Sequence, residues 1–237
     1  MGRIGLGENL KNLNSLIKET DKIGIVVAHP DDEVFYFGNL LLMFGEKIQI
    51  YCLTDGNYTN SGPERLDKMD DVSQKMTGRN VIRLNFKDDP LVDLNIDNIT
   101  EKLKSTDLQT CNFIFTHSPH GDYGHFNHRD CFFAVALAFP EKEIIFPADY
   151  VAPDFELNLP IERHEEKLEL VMKYYLEEFR DFWKLRNLYL NEGFAICDKD
   201  EVKELFEFLV EGNKPQEKKL KKYKYFWKVL APKYLLG

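Results

Sequence analysis

Two short stretches of this 237-residue chain concentrate residues able to do chemistry. The first is His29-Pro30-Asp31-Asp32-Glu33, one imidazole and three carboxylates in five residues. Like charges this close repel, and such crowding is tolerated mainly where a cation sits among them. The other reading is a polar strand-to-helix turn whose acids complement the positive end of the next helix. The second stretch, His117-Ser118-Pro119-His120-Gly121-Asp122-Tyr123-Gly124-His125-Phe126-Asn127-His128, holds four of the chain's six histidines. A lone histidine is readily structural, but four in a dozen residues are hard to explain by packing. His125 and His128, three apart, can project to one side of a turn entering a helix. His29 and Asp32 share that spacing, which is compatible with joint coordination. Zinc accepts imidazole nitrogen and carboxylate oxygen, and its catalytic sites keep a position open. Iron(II) accepts two histidines and one carboxylate as well, so the residue types point to a divalent metal without choosing one. The chemistry read from spacing alone is metal-assisted hydrolysis.

Both stretches follow apolar segments. Ile23 to Ala28 is short, apolar and β-branched, which predicts a buried strand, and Val34 to Phe44 is apolar at helical length. Lys47 to Leu53 is a second strand, ending in the turn Thr54-Asp55-Gly56-Asn57. Pro63 to Gly78 reads as a helix, with proline in its first turn and glycine at its end. Val81 to Phe86 is a third strand, Ile96 to Leu103 a short helix, Cys111 to Thr116 a fourth strand and Arg129 to Phe139 an apolar helix. Glu143 to Phe146 continues as a strand and Pro147 to Pro160 as a long loop. Helices follow at His164 to Phe179 and Val202 to Val210, with a short strand at Ala195 to Cys197. Leu10, Leu13, Leu16 and Ile17 predict an amphipathic helix near the start. This alternation predicts an α/β fold: a Rossmann-like three-layer sandwich with a mostly parallel sheet and the metal site at the carboxyl ends of its strands. No GxGxxG follows the first strand, so the dinucleotide fingerprint is absent.

His29-Pro30-Asp31-Asp32-Glu33, preceded by Ala28 after an apolar strand, resembles the signature of the PIG-L/LmbE-like zinc-dependent N-deacetylases. Tyr123-Gly124-His125-Phe126-Asn127-His128 is similar to the later motif of that family, in which Tyr-Gly precedes a His-x-x-His pair. The resemblance covers roughly residues 23 to 190. It implies zinc held by His29, Asp32 and His128, with iron(II) or another divalent metal as the alternative. Asp31 is then the carboxylate beside the metal, able to take a proton from the attacking water. Protonated His125 and the hydroxyl of Tyr123 are the candidate donors to the oxyanion. Glu33 orients the turn. Asp31 or His125 returns a proton to the leaving amine. Arg65, in the helix after the second strand, is a candidate substrate contact. Asp55 is either a second one or a turn carboxylate bonding its own backbone. Two departures stand out. The family has Pro-Asp between its two histidines where this chain has Phe126-Asn127, so a neutral amide replaces a carboxylate expected to tune His125. It often carries Arg-x-x-Glu where this chain has Arg65-Leu66-Asp67-Lys68.

The implied activity is removal of an acetyl group from an N-acetylglucosamine-type conjugate. An amidohydrolase on a non-sugar N-acyl compound and a metallo-phosphoesterase are the other enzymatic readings. A metal- or glycan-binding pseudoenzyme is the non-enzymatic one, and the presence of Asp31 argues against it. A net charge of −9 disfavours bulk nucleic-acid binding. The hydrophobic and charged fractions, 43% and 30%, are those of an ordinary globular protein. Cys52, Cys111, Cys131 and Cys197 lie far apart, which predicts buried free thiols and a cytoplasmic protein. Residues 1–213 read as one α/β domain. Residues 214–237 read as a tail interleaving lysines with Tyr223, Tyr225, Phe226 and Trp227. That tail is either a last packed helix, a peripheral membrane contact or an oligomer contact. The oligomeric state is not legible in the sequence.

Overall fold

The structure, a computed structural model, describes residues 11–58, 60–89, 92, 94–148, 151–157, 159–181, 192–213 and 221–223. Among these, eight strands form one sheet: β1 (Lys11–Asn12), β2 (Ile23–Val27), β3 (Ile48–Thr54), β4 (Ile82–Phe86), β5 (Phe113–Phe115), β6 (Ile144–Pro147), β7 (Phe155–Leu157) and β8 (Glu192–Cys197). Their order is β1-β7-β8-β6-β5-β2-β3-β4. Every neighbouring pair is parallel except the two that involve β8. The helices are α1 (Leu13–Leu16), α2 (Asp32–Phe44), α3 (Gly62–Thr77), α4 (Ile96–Lys104), α5 (Phe126–Ala138), α6 (Ile161–Tyr174), α7 (Leu176–Asp181) and α8 (Lys199–Leu209).

The central strands are buried on both faces, and their side chains alternate between two cores. Ile23, Ile25 and Val27 of β2 join Ile48, Ile50 and Cys52 of β3 under α2, α3 and α6. Val26, Tyr51 and Leu53 point the other way, into a core built with α4, α5 and α8. Period-two alternation thus puts helices on both sides of a mostly parallel sheet, as expected from the sequence.

Local details differ from the sequence reading, each for a physical reason. The expected N-terminal helix is one short turn, because Asn12 pairs with the edge of β7 and caps it through Oδ1. The loop expected over Pro147 to Pro160 contains β7, too short to carry a strand pattern and held by β8 on one side and β1 on the other. The helix expected over His164 to Phe179 breaks at Tyr175 (φ −130°). Helix α8 begins at Lys199, where Asp198 and Glu201 form a reciprocal cap. The four cysteines are buried and free. Most of the expected tail lies outside the described residues. Within 221–223, Tyr223 is fully buried with its ring stacked on Phe146, and Lys222 Nζ lies 2.8 Å from Asp154 Oδ2.

Helix α2 carries the first motif at its amino end and is interrupted at Phe37 (φ −131°, ψ 16°). The break leaves the second half with exposed amides, like any helix start. Glu192 of β8 caps them: Oε1 accepts the Asn39 N–H at 2.7 Å and Oε2 the Leu40 N–H at 3.1 Å. Lys167 of α6 neutralises the cap, its Nζ 2.8 Å from Glu192 Oε1. Gly38 lets the lysine stem pass, since a Cβ there would lie 2.7 Å from Lys167 Cε. Both charges are almost wholly buried, so each depends on the other. Lys167→Met should cost about 3–5 kcal/mol by stranding the carboxylate. Lys167→Met with Glu192→Gln, which keeps an acceptor but no charge, should recover most of it. Urea midpoints of the two variants check this, and equal destabilisation would contradict the pairing.

Candidate metal and catalytic site

The strand order decides where the two motifs meet. From β2 the chain builds outward through β3 and β4, then returns to lay β5 on the other side of β2. Connections leave β2 and β5 in opposite directions, and the crevice between them is where such sheets bind ligands. His29 to Glu33 follow β2, and His117 to His128 follow β5. Residues 89 or more apart in sequence are thereby brought into contact.

His29 Nδ1, Asp32 Oδ2 and His128 Nε2 form a compact triangle. The sides are 3.1 Å between the two nitrogens, 3.3 Å from His29 to Asp32 and 3.4 Å from His128 to Asp32. A tetrahedral zinc ion with bonds of about 2.0–2.1 Å keeps its ligand atoms about 3.3–3.4 Å apart. The three atoms therefore already have the separations such an ion needs, and a divalent metal fits this donor set. Burial pulls the His29 pKa down, but hydrogen bonds to Asp32 and Asp88 outweigh it and raise the pKa to about 10. Burial lowers that of His128 to about 4. A protonated His29 facing a neutral His128 puts a proton where a cation would sit, and metal binding would release it. The positive charge around Asp32 outweighs its burial and keeps the carboxyl ionised.

Asp31 stands beside the triangle in a strained backbone, with φ 117° and ψ −32°. Two contacts hold it there. Glu33 Oε2 accepts the Asp31 N–H at 3.0 Å, and Arg65 Nη2 donates to Asp31 Oδ2 at 2.9 Å. Arg65 also donates to Pro30 O and Gly56 O, at 2.9 and 3.0 Å. Its guanidinium thus braces the loop as well as facing the crevice. Burial raises the Asp31 pKa to about 7 against the opposing pull of Arg65. Glu33 is fully buried, which raises its pKa to about 8, and the Tyr175 hydroxyl donates to its other oxygen. The helix break at Tyr175 therefore belongs to the site.

Across the crevice, His125 caps α5, its Nδ1 accepting the Asn127 N–H at 3.2 Å. Burial, with the neighbouring His128 and His29, lowers its pKa to about 3. With Nδ1 accepting an amide, the His125 ring is neutral and carries its proton on Nε2, where the sequence suggested an imidazolium. Tyr123 sets its ring edge-on to His125 and His128, and burial keeps its hydroxyl protonated. Asn127 does not face His125: its Nδ2 lies 3.2 Å from His29 Nε2 and 3.4 Å from Asp88 Oδ1. The departure at this position bears on His29 instead. Asp55 Oδ1 accepts the N–H groups of Asn57 and Asp88, at 3.1 and 3.0 Å, which ties the loops after β3 and β4 together.

The sequence reading gave no role to four residues at the site. Asp88 lies 3.5 Å from His29 Nε2, and Asp122 Oδ2 lies 2.8 Å from His128 Nδ1. His117 Nε2 lies 3.3 Å from Asp32 Oδ2, and Tyr175 reaches Glu33. The histidine density marked the neighbourhood of His117 and Asp122. Nothing local marked Asp88 or Tyr175.

Residues 25–139 match the family described as PIG-L: GlcNAc-PI de-N-acetylase. The N-acetylglucosaminyl-phosphatidylinositol de-N-acetylase of Saccharomyces cerevisiae is 28% identical over 151 residues, 58% of this chain and 47% of the yeast protein. The chain thus spans about half the length of that curated relative. In fold, it is similar to the N,N'-diacetylchitobiose deacetylase from Pyrococcus horikoshii, with a TM-score of 0.61 at 15% identity. That match covers 76% of this chain and 84% of the other. A deacetylase of the teicoplanin biosynthesis pathway, solved with teicoplanin, superimposes with a TM-score of 0.50 at 10% identity, over 75% and 99% of the two chains. The segment matched by the family, residues 25–139, contains both motifs.

Proposed function

We propose that the chain is a metal-dependent N-deacetylase, zinc being the metal its donors suit, acting on an N-acetylglucosamine-type glycoconjugate. The observation that carries the reading is the buried triangle of His29, Asp32 and His128 with a second carboxylate, Asp31, beside it. The substrate class is supported by the yeast relative and the chitobiose deacetylase, whose names specify N-acetylated glucosamine compounds.

A divalent cation held by these three residues supplies Lewis acidity toward water and an acetamide carbonyl. Asp31 is the proton acceptor for the attacking water, its basicity set between burial and the Arg65 charge. The Nε2–H of His125 and the hydroxyl of Tyr123 are the donors to the developing oxyanion. Asp31, once protonated, returns the proton to the departing amine. His125 is a donor at Nε2 whose Nδ1 is held by a backbone amide, so proton return falls to Asp31. Arg65 acts on the substrate side through the loop it braces and through the base it charges.

Acetate release should be metal-dependent and faster on N-acetylglucosamine conjugates than on non-sugar acetamides. Alanine at His29, Asp32 or His128 should abolish both metal content, read by elemental analysis, and turnover. Metal retained in full by all three variants would remove the assignment. Asp31→Asn should keep the metal and lose about 10²- to 10⁴-fold in kcat. Near-normal turnover would deprive Asp31 of its role. The pH profile offers a third test. A carboxylate base works when ionised, so activity falls as pH drops through its pKa, which the Arg65 cation lowers. Arg65→Gln should therefore move the acid limb of kcat/KM upward, by about 1 to 3 pH units for the loss of a paired guanidinium. An unmoved acid limb would mean that Asp31 is not the titrating base.

A further inference from the structure

Four histidines crowd the loop after β5, and the structure distinguishes the one suited to a metal from its stacked neighbour. His117 and His128 are both buried, their rings 3.8 Å apart and inclined by 24°. Each could reach Asp32 Oδ2, from 3.3 and 3.4 Å respectively. By distance alone, Asp32, His117 and His128 form a possible metal-holding group, as do His29, His125 and His128. Hydrogen bonding separates them. One oxygen, Asp122 Oδ2, lies 2.6 Å from His117 Nδ1 and 2.8 Å from His128 Nδ1. A carboxylate oxygen accepts and cannot donate, so both rings carry their proton on Nδ1. Their Nε2 lone pairs then have different partners. That of His117 accepts the Ala28 N–H at 2.9 Å, whereas that of His128 faces His29 and Asp32.

We propose that Asp122 and His117 form a positioning clamp for the metal site. Asp122 fixes the tautomer of His128, and His117 is a strut, not a ligand, that ties Asp122 to the peptide just ahead of His29. The inference rests on the metal-dependent reading above. The path runs from the end of β2 through His117 and Asp122 to His128 on α5, so it sets the distance between the two ligand-bearing segments before any metal arrives. Asp122 is itself locked. Its Oδ1 accepts the Ser118 N–H at 3.0 Å, and its own N–H donates to Ser118 Oγ at 2.7 Å. Its backbone is left-handed (φ 58°), a conformation that Asp tolerates better than most residues. Gly121 makes the turn possible, since a Cβ there would lie 2.2 Å from His125 O. A carboxylate bonded to the far nitrogen of a ligand histidine also raises its basicity, and losing such a partner costs about 10- to 100-fold in metal affinity.

The test uses the purified full chain and zinc. Imidazole nitrogen NMR of the metal-free protein should show His117 and His128 as Nδ1–H tautomers. Added zinc should shift the Nε2 of His128 and leave that of His117 in place. Competition with a chromophoric chelator should show about 10- to 100-fold weaker zinc binding in Asp122→Asn and in His117→Phe, which keeps the ring stack but loses both hydrogen bonds. His117→Gln, whose amide offers one donor and one acceptor, should restore most of the affinity. A metal-type shift at His117 Nε2, or wild-type affinity in Asp122→Asn, would overturn the clamp. If a variant fails to fold, the wild-type spectra still decide. If the wild-type chain takes up no zinc, the proposed function falls, and the clamp is still upheld or overturned by the tautomers of the metal-free protein.

Discussion

Asp32 Oδ2 is the point on which this structure converges. It accepts the N–H of His29 at 2.9 Å and is approached by nitrogens of His29, His117 and His128 at 3.3, 3.3 and 3.4 Å. A carboxylate this buried is costly unless positive charge and hydrogen bonds surround it. Here the backbone N–H and the charged ring of His29 offset it, while the Nε2 atoms of His117 and His128 approach it from the segment after β5. The ends of β2 and β5, and the start of α5, thus meet at one oxygen.

The neighbouring acids are compensated by different partners, and that difference separates their chemistry. Asp31 faces a guanidinium, and burial lifts its pKa to about 7, within reach of proton transfer near neutrality. Asp32, among imidazoles, stays ionised. Glu33 is bonded to a tyrosine hydroxyl and to the amide of Asp31, and it shapes the loop. Three consecutive carboxylates thus sit in three different environments. The strained φ of Asp31 persists because Glu33 and Arg65 over-determine it.

The support extends well behind the crevice. The break in α2 lets its first turn follow the site and its second half follow the core, and the buried Lys167–Glu192 pair satisfies the amides this exposes. Tyr175, at the junction of α6 and α7, braces Glu33 from the same side. Strand β8, the antiparallel member of the sheet, supplies Glu192 and so links the sheet's far side to α2, the helix that begins at Asp32.

The sequence by itself determined the alternation of apolar strands and helices, hence the mostly parallel sheet. It also determined the two clusters of ligand-type residues at strand ends and the run of adjacent carboxylates, Asp31 to Glu33. These features repeat over two to four residues, so composition and periodicity display them. Tertiary structure alone decided which residues complete the site. Asp88 and Tyr175 are ordinary residues in their local sequence, and they matter because the tertiary fold carries them to His29 and Glu33. It also decided that the Asn127 amide turns to His29 and not His125, and that His117 accepts a backbone amide 89 residues away. A hydrogen bond fixes a tautomer only when both partners are in place, and that juxtaposition exists only once the sheet has brought its strands together.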